Sequence, residues 1–153
     1  MHSSEMSRIE KRVLIHAPRA KVWRALTDLA EFSQWFGVRA EGRFVPGVRL
    51  KMTTTIEGYA GIIFYLTVER MEAMEFFSWR WHPGSEQPGE DSQEPTTLVE
   101  FRLRDEDGGT RVTVVESGFE AISLARRAKV FEENTGGWEY QVASLEKYVS
   151  GSA

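Results

Sequence analysis

The chain has 153 residues, 41% apolar and 27% charged, with a formal net charge of -4 and a pI near 5.5. That is enough to bury a sizeable core and too acidic for a nucleic-acid surface, which is ordinarily basic. The absence of cysteine excludes a disulfide framework, a thiol nucleophile and a thiolate metal site, and a cytoplasmic location is expected. No apolar run approaches the ~20 residues needed to span a membrane. Residues 1–7 hold no hydrophobic stretch of signal-peptide length.

Ile9, Val13, Ile15 and Ala17 share a face and predict a strand. Pro18 suits the first turn of a helix, where its missing N–H is harmless, and Val22, Leu26 and Leu29 repeat at helical spacing beside Trp23. Asp28, followed three residues later by Glu31, resembles a capping box opening a second short helix. Phe32, Trp35 and Phe36 form its apolar face, and Gly37 is placed to stop it.

Strand-like segments follow up to Gly118. Residues 38–44 lead through Pro46-Gly47 into 48–56, Gly58 interrupts, and 59–71 runs to a tight return near Glu72. In 75–82, Phe77, Trp79 and Trp81 alternate on one face, with Phe76, Ser78, Arg80 and His82 on the other. In 98–104, Val99, Phe101 and Leu103 point inward. Asp105 to Gly109 has hairpin-turn composition, and 110–117 carries Val112 and Val114 inward. Between these, PGSEQPGEDSQEP (83–95) is long for a hairpin connection and predicts a mobile surface loop. The last segment is helical, with Phe131, Trp138, Val142, Leu145 and Val149 on one stripe. Gly136 and Gly137 interrupt it at a cost of roughly 1 kcal/mol each, as expected where backbone approaches something closely or a side chain needs room. The order β, α-α, a meander, then one long helix is that of an α+β fold with an antiparallel sheet of about six or seven strands around the final helix.

Four motifs in this order resemble a known superfamily. IEKRVLIHAPRAKVWRALTDLAEFSQWFG (9–37) is similar to the opening of the START/birch-pollen-allergen-like (SRPBCC) proteins. FFSWRWHP (76–83), TRVTVVESGFE (110–120) and ENTGGWEYQVASLEKYV (133–149) resemble the middle strands and last helix of its branch named for the activator of the 90-kDa heat-shock-protein ATPase. The resemblance implies a helix-grip fold over 9–150, one START-like domain after a tail at 1–8, with an apolar cavity between sheet and helix.

In such a fold the inward rings converge. Trp35 and Phe36 would close one side, Met52 and Phe64 the floor, Phe77, Trp79, Trp81 and Phe101 the wall, and Phe131 and Trp138 the roof. Small-molecule pockets are lined mainly by such residues, although alternating aromatics also serve as plain core. Glu116 continues the inward series Val112, Val114. It is therefore either a buried acid or ligand anchor, or a solvated side chain where the strand frays toward Gly118. His82 and Arg80 are expected at the surface, and Asn134 and Gln141 either bond a ligand or cover the helix edge.

Catalytic signatures are missing. His2, His16 and His82 lack metal-ligand spacing, and there is no G-x-S-x-G elbow or glycine-rich phosphate loop. The acids of 90–94 lie in a loop, and Gly108-Gly109 is a turn. The expected function is binding of a small hydrophobic or aromatic ligand, lipid-like or polyketide-like, without a cofactor, with loop 83–95 as a gate. Two alternatives remain: a cyclase or hydrolase using Glu116 with Tyr140 or His82, and a chaperone-associated protein-binding module.

Overall fold

A computed structural model describes residues 7–89 and 91–151. Its elements are β1 (Arg8–Ile15), α1 (Arg19–Thr27), α2 (Leu29–Phe36), β2 (Val38–Arg39), β3 (Arg49–Thr54), β4 (Ile63–Glu72), β5 (Phe76–Trp81), β6 (Thr97–Glu106), β7 (Gly109–Ser117), a short 3-10 turn (Phe119–Ala121) and α3 (Leu124–Gly151). The seven strands form one antiparallel sheet in the order β1-β7-β6-β5-β4-β3-β2. A bulge between Val68 and Arg70 in β4 adds local twist, which helps the sheet curl. The 28-residue helix α3 runs against β1 and α2, the helix-grip arrangement that the family resemblance implies.

Local chemistry accounts for the element ends. Pro18 caps α1 from outside rather than opening it. The Asp28 side chain accepts from Ala30 N at 3.0 Å, but the box is not reciprocal. Glu31 instead binds Arg24 at 2.7 Å and accepts from the Tyr148 hydroxyl at 3.2 Å. Gly37 ends α2 with φ +81°, where a Cβ would collide with Ile56 at 2.4 Å.

Three expectations about length need correction. The strand expected over 38–44 is only Val38–Arg39, and the one expected from residue 59 starts at Ile63. In the latter case Tyr59 N bonds Ile56 O and Gly61 N bonds Thr54 O, so a compact turn takes up backbone groups that a longer ladder would need. β1 begins one residue before the expected strand start at Ile9. Residues 1–6 lie outside the described residues, but Ser7 O accepts from Gly118 N at 3.3 Å and Arg8 is paired with Ser117.

The inner face of the sheet carries Val112, Val114 and Glu116 on β7, Thr97, Val99 and Phe101 on β6, and Phe77, Trp79 and Trp81 on β5. Register aligns Glu116 with Val99 and Val99 with Trp79, and it aligns Thr97 with Trp81. Glu116 therefore sits diagonally across from Thr97 and Trp81, at one end of the sheet. The outer face of β5 is also covered, contrary to simple alternation. Phe76 and Ser78 are buried, with the Arg70 and Arg102 guanidinium groups over the Phe76 ring at 4.5 and 4.7 Å.

Candidate functional site

Glu116 has no solvent exposure, so the alternative of a frayed, solvated strand end is wrong. A carboxylate buried without partners is very costly, and here four side chains supply hydrogen bonds. Trp81 Nε1 donates to Oε2 at 2.8 Å and Thr97 Oγ1 to the same oxygen at 2.5 Å. Trp138 Nε1 donates to Oε1 at 2.8 Å, and Asn134 Nδ2 spans both oxygens at 2.8 and 3.1 Å. The two indole N–H groups and the Asn134 amide nitrogen can only donate, whereas the Thr97 hydroxyl can donate or accept.

The two indoles held by Glu116 form part of the wall of a cavity of about 220 Å³ between α3, β3, β4, the end of β5 and loop 83–95. Aromatic rings dominate that wall: Phe36, Phe64, Trp81 and Trp138. Trp81 lies 5.9 Å from Trp138, 5.6 Å from Phe64 and 6.2 Å from Phe36 between ring centroids. The polar residues of the lining are Thr54, His82, Ser85, Gln87, Asn134 and Gln141, and no lysine or arginine contributes.

Gly137 also lines this space, and a Cβ on Gly136 or Gly137 would meet nothing within 4 Å. Of the two reasons for interior glycines, close backbone approach therefore fails and open room holds. Gln141 lines the cavity too, 9% exposed. It donates from Nε2 to Phe36 O at 2.8 Å, while its Oε1 has no hydrogen-bond partner.

The remaining candidates lie elsewhere. Trp35, Met52, Phe77, Trp79 and Phe101 are buried in the core and do not line the cavity. Trp35 Nε1 donates to Ala25 O at 2.7 Å, and Trp79 meets Phe32, Phe77 and Phe101 edge-on or tilted at 5.4–5.8 Å. Phe131 packs on Phe119 at 5.2 Å. His82 is half-buried rather than exposed and bonds Glu94 O at 2.9 Å, whereas Arg80 faces solvent as expected. Tyr140, suggested as a proton-transfer partner for Glu116, is 56% exposed and outside the cavity.

Sequence reasoning passed over Thr97 and left the role of Asn134 open. Asn134 lies four residues before Trp138 on the same helical stripe, a spacing that could have assigned it. The loop over the cavity is fastened rather than loose at its start. Gly84 N donates to Asn134 Oδ1 at 3.2 Å, Ser85 donates to Glu133 through N at 3.2 Å and Oγ at 2.9 Å, and Gln87 Nε2 braces the carbonyls of His82 and Gly84. Among the described residues, no cluster of acids and histidines could hold a metal ion, and no helix is long and apolar enough to cross a membrane.

The model for the family described as activator of Hsp90 ATPase homolog 1-like protein matches residues 16–150. The chain belongs to that family. No curated protein matches it. Among solved structures, this Hsp90-activator-like chain is similar to protein MLL2253 from Mesorhizobium loti at 19% identity and TM-score 0.74, over 95% of this chain and 98% of that one. It is similar to the Aha1 dimer from Colwellia psychrerythraea at 19% identity and TM-score 0.72, again over 95% and 98%. DynU16, a protein in the dynemicin biosynthetic locus, aligns at 21% identity and TM-score 0.68 over 94% of this chain and 47% of its own. At such identities these likenesses establish the fold alone. That fold is consistent with ligand binding in general.

Proposed function

We propose that the chain binds a compact, largely apolar or aromatic small molecule in the cavity between α3 and the sheet. The observation that carries this reading is the contrast between a tightly packed core and an aromatic-walled space of about 220 Å³ left beside Gly137. Apolar pockets with a few placed polar groups are the usual form of small-molecule sites. This one lies below the usual range of about 300–1,000 Å³, so it fits a ligand of one or two rings rather than a long lipid chain. Burying ligand surface would drive binding at about 25 cal/mol per Å². The Gly84–Ser85 attachment to α3 serves as the gate.

Native mass spectrometry of the protein with a panel of small aromatic and aliphatic compounds, alongside tryptophan fluorescence, tests the reading. Binding should shift the emission of Trp81 and Trp138 and disappear in Gly137→Leu, which fills the space. Binding unaffected by that substitution would place the ligand elsewhere, and no binding across the panel would mean the cavity has no such occupant.

A protein-binding role ranks second. It is supported by the likeness to the Aha1 dimer, but the exposed apolar side chains of α3, Leu124 (77%) and Tyr140, are sixteen residues, about 24 Å, apart along the helix and do not form one patch. A catalytic role ranks behind both, because Glu116 already accepts from four donors and Tyr140 does not reach the site.

A further inference from the structure

Glu116 is satisfied in hydrogen bonds but not in charge. Its partners, Trp81, Thr97, Asn134 and Trp138, are all neutral, and it takes part in none of the salt bridges among the described residues. Three of the partners can only donate N–H groups, and neutral dipoles of that kind would hold an ionised carboxylate without cancelling its charge, whose field is poorly screened in a low-dielectric interior. That charge lies one hydrogen bond behind two indoles of the cavity wall, and no lysine or arginine in the wall opposes it. An anion would be repelled there and a neutral guest would gain nothing from it.

The wall itself favours a positive guest. Indole faces are the best aromatic partners for cations, and two of the four rings are indoles whose N–H groups donate to a carboxylate. Such donation pushes electron density into the ring.

From the carboxylate and the two indoles in front of it, we propose that the guest is an organic ammonium: a protonated amine with a compact apolar or aromatic substituent. Its charge lies against Trp81 and Trp138. The inference rests on the ligand-binding reading above and adds the sign of the ligand's charge.

Two probes of one shape separate the claims. Benzyldimethylamine, protonated at neutral pH, and isobutylbenzene share a heavy-atom skeleton and differ in N–H⁺ against C–H. Titrations followed by tryptophan fluorescence and by the indole N–H NMR resonances should give at least about tenfold tighter binding of the ammonium, the scale of a desolvated cation–π contact. Glu116→Gln should bring the two affinities together. If Glu116→Gln does not fold, the wild-type comparison decides alone. Equal or tighter binding of isobutylbenzene would overturn the charge inference and leave the ligand-binding reading standing. If neither probe binds and no indole resonance moves, both fall.

Discussion

Trp79 and Trp81 stand two residues apart on the same face of the same strand, yet they belong to different regions. Trp79 has no exposure and is enclosed by Phe32, Phe77 and Phe101. Trp81 is half-buried, turns its N–H to Glu116 and has the cavity beside it. What separates them is the opposite wall. Facing Trp79, α2 supplies Phe32; at the cavity end, α3 supplies Gly137 and the loop supplies Gly84. Alternation sets which face of a strand is apolar, and the facing element decides whether that face is filled.

Replacing each tryptophan by alanine should expose the contrast most strongly. Trp79→Ala is expected to cost about 3–5 kcal/mol, as for large residues removed from a packed core. Trp81→Ala should cost only about half of that, because the ring is half-exposed and borders existing space. Urea unfolding measures both, and equal losses would mean that the two regions are packed alike.

Glu116→Leu comes next. It removes the acceptor from donors on β5, β6 and α3 at once, and leaving buried donors unsatisfied costs about 1–3 kcal/mol each. After relaxation toward the cavity, a net loss of about 3 kcal/mol is expected in the same unfolding measurement. A neutral outcome would show that water replaces the carboxylate without penalty.

A smaller effect of opposite sign is expected at the glycines. Gly136→Ala and Gly137→Leu should each raise stability by up to about 1 kcal/mol through helix propensity, since neither new side chain meets a neighbour at its Cβ. Only Gly137→Leu should abolish ligand binding. Thermal melts and a binding titration on the two variants separate stability from cavity volume, and loss of binding in both would point to helix geometry instead.

The smallest effect lies away from either region. Burial first, and then the neighbouring Glu31 carboxylate, raise the Tyr148 pKa above its ordinary value of 10.0. A folded-state pKa above the unfolded one gives stability that is complete below about pH 10 and is lost as pH rises through the folded value. Tyr148→Phe should flatten that alkaline decline in a pH series of melts. An unchanged slope would remove Tyr148 from the account.

Much of the fold was legible because it depends on patterns that sequence carries. Asp28 and Gly37 mark the ends of α2, Phe77-Trp79-Trp81 marks an inward face, and the series Val112, Val114, Glu116 aims the carboxylate inward. The site was less legible because periodicity names faces and not partners. Nothing local to Glu116 shows that Trp81, Thr97, Asn134 and Trp138 converge on it from two strands and a helix. For the same reason, of the apolar residues expected around the ligand, the cavity gathers Phe36, Phe64, Trp81 and Trp138, while Trp35, Met52, Phe77, Trp79, Phe101 and Phe131 stand elsewhere. The loop misled through composition. Its prolines, glycines and acids describe a solvated segment, but Ser85 and Gly84 find acceptors on α3 fifty or so residues away in sequence, at Glu133 and Asn134.

Asn134 holds the loop with one end of its amide and the carboxylate with the other. In the proposed binding reading, lifting the loop would remove one partner of the amide that also holds Glu116, so opening the cavity and loosening the carboxylate would be linked. Weakening the Gly84 attachment would raise the rates of arrival and departure together and leave the equilibrium nearly unchanged. On that reading, how long a guest stays would depend on the few hydrogen bonds that fasten the loop as much as on the guest's fit.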